Sequence, residues 1–165
     1  MQQIYIVTYT YAFLFSLATT HAADAPALKE GLWSIHKVTT SNPGNKVDIK
    51  NFTLCRSHAF DQQADAKKNA LKDCTTVFDF TRNNTHTTEM RCVVGGSILL
   101  TKSVATMADD RHTHSDAHAT FTPVFDGQTE TTIVEDQSYR GKCPAGLQPG
   151  DEVQADGTVL HLWKH

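Results

Sequence analysis

The chain has 165 residues, with 15 Lys and Arg against 18 Asp and Glu, for a formal net charge of −3 at pH 7. Without a basic excess it lacks the electrostatic footprint of a nucleic-acid-binding protein. The same deficit argues against attraction to an anionic membrane surface.

Residues 4–18, IYIVTYTYAFLFSLA, form an uncharged apolar run, and Thr20-His21-Ala22 places small residues behind it. That order reads as a signal peptide over 1–22, with the mature chain starting near Ala23. Met1-Gln2-Gln3 lacks the usual basic residue. The run is shorter than the roughly 20 apolar residues that a membrane-spanning helix needs. We therefore expect a periplasmic or secreted protein with no stable membrane span after cleavage. Residues 23–165 are expected to form one β-rich domain, with its core at about 31–143 and a tail at 144–165.

All four cysteines, Cys55, Cys74, Cys92 and Cys143, follow the signal segment. An even number in an exported chain points to disulfides. No pair has the C-x₂₋₄-C spacing of a zinc site. Four cysteines allow three connectivities, of which Cys55–Cys74 with Cys92–Cys143 is favoured. The first would staple a helical excursion to the strand before it, and the second would tie a central strand to the end of the last.

Turn signals recur at short intervals: Asn42-Pro43-Gly44-Asn45, Asn83-Asn84, Gly95-Gly96, Asp109-Asp110 and Asp126-Gly127. Between them the chain is rich in Thr, Val, Ile and Phe, which suit a pleated surface. Strands are expected at 31–41, 46–55, 74–82, 85–93, 97–107, 111–122 and 128–140, with a short one at 159–163. The gap from Ser57 to Lys72 is the helical passage, capped by Ser57, with Phe60, Ala64 and Leu71 near one face. It is expected to pack as a lid over one edge or end of the sheet. The fold class is all-β with minor α: an antiparallel up-and-down meander, as a curved sheet or a barrel, with one short helix between strands 2 and 3.

Gly31-Leu32-Trp33 opens the first strand, Cys55 leads into the helix and Cys74 starts the next strand. Arg91-Cys92 and Tyr139-Arg140-Gly141-Lys142-Cys143 close two later ones. In this order and spacing the chain resembles the small exported bacterial proteins of domain-of-unknown-function family 3617, over about 31–143. It differs from many members in having Ser34 after the opening Trp and a tight turn after the first strand. The resemblance implies a β-rich envelope protein and carries over no catalytic residue.

The segment from Asp109 to His118, DDRHTHSDAH, has the most chemistry in it. Alternate strand residues share a face, so His112, His114, Asp116 and His118 project together. Pairing through Asp109-Asp110 would set Met107 opposite His112, Ala105 opposite His114 and Thr101 opposite His118. Ile98, Leu100, Val104, Ala119 and Phe121 would then form the other, apolar face. Pairing through Asp126-Gly127 would bring Glu135 to His118 and Gln137 to Asp116. His112 and His118 lie about 20 Å apart along a strand, too far to share one ion. A zinc or copper site from His114, Asp116, His118 and Glu135 is the candidate metal centre. A solvated face of His–carboxylate pairs is the simpler reading of the same stripe.

No G-x-S-x-G elbow, free thiol or phosphate-binding glycine loop is present, and Asp109-Asp110 reads as a solvated turn. The leading expectation is a non-enzymatic domain with no cofactor that binds a partner or a small apolar ligand. Trp33, Ile35, Phe78 and Phe80 would enclose that ligand, and Trp33 and Trp163 could line such a pocket or simply fill a core. Metal binding is the alternative, and hydrolysis ranks third.

Overall fold

A computed structural model describes residues 27–162; the expected signal peptide and Trp163 lie outside the described residues. The elements in chain order are β1 Gly31–Asn42, β2 Lys46–Arg56, α1 His58–Asn69, β3 Cys74–Arg82, β4 Thr85–Val94 and β5 Ser97–Asp109. They continue with β6 His112–Phe125, β7 Gln128–Gly141, β8 Asp151–Gln154 and β9 Val159–His161. The seven long strands match the expected ones closely, and β8 is additional. Asn45, Asn83 and Asp126 turn the chain at φ of 47°, 55° and 47°, a left-handed region that Asn and Asp tolerate.

All strands pair antiparallel in one curved sheet, ordered β3-β4-β5-β6-β7-β1-β2-β8-β9. The sheet stays open between β3 and β9. The run from β3 to β7 is a plain meander, but the β1–β2 hairpin docks on β7 instead of beside β3. Consequently β2 and β3 stand six strand spacings apart, about 29 Å. The passage between them must cross a face of the sheet, and α1, about 18 Å long, forms the middle of that crossing. We call the face that carries it the inner face.

Local chemistry fixes α1. Ser57 lies in extended conformation, and its hydroxyl accepts the Phe60 N–H at 3.2 Å, satisfying one donor orphaned at a helix start. Asp61 sits in the first turn and Lys67 and Lys68 in the last, which complements the helix dipole. Phe60 anchors the helix to Ile35 and Leu54 in the core. Leu71, expected on the same face, lies beyond the helix and is exposed.

The disulfides are Cys55–Cys143 and Cys74–Cys92, which corrects the expected Cys55–Cys74 and Cys92–Cys143. Cys74 and Cys92 face each other directly across the β3–β4 hairpin, with Cα atoms 4.0 Å apart. Cys55, on β2, is separated from Cys74 by the whole width of the meander. Because β1 lies between β2 and β7, the chain leaving β7 passes the start of β1 to reach Cys55. Gly31 permits that passage: it has φ of 140°, and a Cβ there would collide with the Gly141 carbonyl oxygen.

Two irregularities correct the pairings expected around β6. The β5–β6 turn is Asp110-Arg111, not Asp109-Asp110, and Ala108 is bulged, so Met107 faces Thr113, Thr106 faces His114 and Lys102 faces His118. Ile98, Leu100 and Val104 therefore share the face of the His stripe, while Ala119 and Phe121 lie on the inner face. The β6–β7 hairpin does turn at Asp126-Gly127, but the extra length of β6 between Thr120 and Phe125 shifts the register beyond it. Pro123, in that stretch, has no N–H to give to the ladder. Glu135 consequently faces Ser115, Asp136 faces His114 and Thr132 faces His118. A one-residue slip moves every side chain to the opposite face.

The short β8–β9 hairpin extends the sheet beyond β2 and is held by Asp151, which is 6% exposed. Its carboxylate accepts the Gln148 N–H at 2.8 Å and meets His161 Nδ1 at 2.6 Å. The backbone N–H first, and the imidazole second, hold this carboxyl below the ordinary carboxylate range. A depressed folded pKa stabilises the protein above the unfolded value and loses that contribution as pH falls through the folded value. Asp151→Ala is expected to cost about 1–3 kcal/mol at neutral pH. Urea unfolding of the two proteins should converge as the pH is lowered below about 4; a gap that stays constant would refute this account.

Candidate functional site

The inner face and the underside of α1 enclose a cleft of about 790 Å³. Its floor comes from three adjacent strands, with Ala105 and Met107 on β5, Thr113 and Ser115 on β6, and Gln137 on β7. Ala105 faces Ser115, and Ser103 faces Ala117 in the next inward row. Small side chains in two consecutive rows keep the middle of the floor low, which leaves room between sheet and helix.

One end of the cleft is closed by residues 27–30, which run from the β5–β6 turn to the start of α1. Lys29 N–H donates to the Asp110 carbonyl at 2.8 Å. Its own carbonyl accepts the Trp33 indole N–H at 2.8 Å. The His58 N–H donates to Glu30 at 2.8 Å, and the His58 ring bonds the Leu28 carbonyl at 2.9 Å. Arg56 forms a wall: it bonds Asp61 at 3.0 Å and Gln137 at 2.5 Å while lying 5.3 Å over the Trp33 ring. The lining mixes these polar groups with Leu28, Ala105 and Met107.

Of the expected ligand-enclosing residues, Trp33 and Ile35 are buried on the inner face, beneath this end of the cleft. Phe78 and Phe80 are half exposed on the outer face, opposite Glu89 and Thr87. The bulge between Thr76 and Phe78 puts them there. His86 also lines the cleft, its Nε2 held by Asp79 at 2.8 Å, while Ser115 stands two strands away on β6. That arrangement pairs no serine with a base.

The stripe His112, His114, Asp116 and His118 lies on the outer face, each residue exposed. His112 Nδ1 bonds Asp109 at 3.0 Å, and His118 Nε2 meets Glu130 at 3.3 Å. His114 is held on both sides, by Asp136 at 2.7 Å and Asp116 at 3.1 Å. The Asp136 hydrogen bond above all raises the His114 pKa beyond the ordinary imidazole value; desolvation opposes it, and Asp116 adds to the rise. Asn42 first, then His118, lower that of Glu130.

Glu135 lies on the inner face, where its carboxylate accepts from the Gln137 amide at 2.6 Å and forms an ion pair with Lys37 at 3.9 Å. The residues expected to form a metal centre are thus brought together only in part: His114 and Asp116 touch, His118 has another partner, and Glu135 is on the far side of the sheet. Among the described residues, no three His, Cys, Asp or Glu side chains are gathered to hold a metal ion as they stand. Sequence reasoning missed His36 and Asp136, which join His114 in one row across β1, β7 and β6. It also missed Arg56 and the small floor residues of the cleft, which carry no local pattern. In comparisons with known proteins the chain matches no family model, no curated protein and no solved structure.

Proposed function

We propose that this chain is an exported, non-enzymatic β domain that binds a small, mainly apolar ligand between α1 and the inner face of the sheet. The observation that carries this reading is the cleft itself. Its volume lies within the 300–1,000 Å³ range usual for small-molecule sites, and its lining sets Leu28, Ala105 and Met107 among polar and charged groups such as Arg56, Asp61 and Gln137 that could fix a ligand's orientation. Phe60 packs the start of α1 onto the core, and beyond it Asp61, Gln62 and Asp65 line an open floor with Ala105 and Ser115.

Export is supported by the apolar segment at 4–18 and by two disulfides with no free cysteine. No helix among the described residues is long and apolar enough to cross a membrane. The resemblance to the small exported family, read from the cysteine order and the opening Gly31-Leu32-Trp33, supports the same placement.

The test is uptake of an anilinonaphthalene dye by the disulfide-bonded protein, followed by displacement with a lipid extract. Ala105→Phe and Ser115→Phe raise the floor and should weaken dye binding at least about tenfold, with unfolding midpoints near that of the parent. Dye binding that is absent, or indifferent to both substitutions, would remove the cleft as the site.

A further inference from the structure

The sheet ends at β3 on one side and at β9 on the other, and among the described residues β3 pairs with β4 alone. The β9 edge is 3 residues long, Val159–His161, whereas β3 runs over Cys74–Arg82. From Cys74 to Thr81 the β3 edge carries no Lys, Arg or Pro, residues that often guard an exposed strand. A bulge at Val77 interrupts it. Beyond the bulge, Phe78 and Phe80 stand on the outer face, 47% and 50% exposed, with ring centroids 6.0 Å apart. Such an edge is a template for another strand.

The direction of its backbone groups follows from two hydrogen bonds at the ends of β4. The Val93 N–H donates to the Asp73 carbonyl at 2.8 Å, and the Met107 N–H to the Asn84 carbonyl at 2.8 Å. Val93 thus turns toward β3, and Asn84 toward β5. Backbone groups alternate along a strand, so Thr85, Thr87 and Glu89 bond to β3 and the residues between them to β5. Arg82, Phe80 and Phe78 face those three and spend their N–H and C=O groups on β4. Asp79 and Thr81 point theirs out of the sheet.

We propose that this edge pairs antiparallel with β3 of a second copy of the chain, about a two-fold axis beside Phe80. A two-fold between identical strands sets one residue opposite itself, and the outward groups of Asp79 and Thr81 must meet outward groups. An axis at Phe80 achieves this. Asp79 then faces the partner's Thr81, and Thr81 the partner's Asp79, each pair exchanging both of its N–H···O bonds. Phe80 faces the partner's Phe80 at the closer, non-hydrogen-bonded spacing, and Phe78 faces the partner's Arg82, whose guanidinium covers the ring. An axis at Asp79 would set two carboxylates against each other. One at Thr81 would carry the ladder into the turn at Asn83, where φ is 55°. The short β9 offers no ladder of matching length for head-to-tail growth, so the pair closes as a dimer. The bulge at Val77 ends the ladder, which keeps the interface small and the association reversible. No residue of this pairing lines the cleft, so the dimer stands apart from the ligand reading.

Sedimentation equilibrium of the disulfide-bonded protein, from micromolar to millimolar concentration, tests the assignment. A monomer–dimer equilibrium is expected. Phe80→Lys sets like charges opposite each other, and Thr81→Pro removes an outward N–H. Each should weaken association at least about tenfold. Leu160→Lys, on β9, should leave it unchanged. Phe80, Leu160 and the Thr81 N–H face solvent in the monomer, so unfolding midpoints should stay near the parent's. The register is read by Phe80→Cys, which should cross-link two chains on mild oxidation, while Thr87→Cys, one strand inward, should not. A protein that is monomeric throughout overturns the proposal. So does a dimer indifferent to both β3 substitutions or lost in Leu160→Lys, and so does cross-linking through Thr87→Cys alone.

Discussion

Replacing Cys55 and Cys143 together by serine is expected to destabilise the protein by about 4–5 kcal/mol. The two residues are 88 apart in sequence, and in the chain-entropy model the stabilisation grows with the logarithm of that loop. The Cys74–Cys92 bridge closes a loop of 18, and its loss should cost about 3 kcal/mol on the same model. The larger loss falls where the architecture is most exposed to it. Among the described residues the buried hydrophobic set is Trp33, Ile35, Leu54, Cys55, Phe60 and Cys92, a small core for so many strands. A domain with so little core depends on covalent staples. Against a typical stability of about 5–15 kcal/mol, the Cys55/Cys143 variant should unfold in much less urea than the Cys74/Cys92 variant. The reverse order, or peptides linking Cys55 to Cys74 in a non-reducing digest, would contradict the observed connectivity.

Trp33→Ala should have the second large effect, about 3–5 kcal/mol, the usual cost of emptying a buried aromatic site. Trp33 is fully buried. Tyr139 packs edge-on against it at 6.0 Å, and the Arg56 guanidinium covers its ring. Its indole N–H holds the Lys29 carbonyl, so the loss extends to the segment that closes the cleft. Removing the ring should therefore lower dye affinity as well as stability. Trp33→Phe keeps most of the packing and gives up the hydrogen bond, and about 1–2 kcal/mol is expected. A Trp33→Ala protein with an unfolding midpoint near the parent's would show that this core is not where the stability lies.

Much of the architecture was readable from local signals. Asn83-Asn84, Gly95-Gly96 and Asp126-Gly127 end strands because those residues reach positive φ at little cost, and each lies where the chain turns. Ser57 caps α1 as its hydroxyl and position imply. The outer-face stripe of His112, His114, Asp116 and His118 follows from a strand period of two, and the alternating exposure of β6 agrees with it. The candidate metal set was half legible for the same reason: His114 and Asp116 share one strand, where alternation alone places them together. Their cross-strand partners were not legible. One bulged residue at Ala108 and the extra length of β6 around Pro123 each shift the pairing by an odd number, and the parity of that number decides which face Glu135 or Asp136 presents.

The sequence by itself determined the seven long strands, most of their turns, the cap of the helix and which residues of each strand share a side; the β5–β6 turn and β8 it did not. These are properties of near neighbours, set by backbone conformational preference and by the alternation of side chains. Only the tertiary structure decided that the β1–β2 hairpin joins β7, that α1 must therefore cross the inner face, and that Cys55 meets Cys143. Each of those depends on contacts between residues far apart in the chain, whose free energy comes from packing and ladder pairing and leaves no periodic trace in the segments that make them. The cleft and the row of His36, Asp136 and His114 are products of that long-range order.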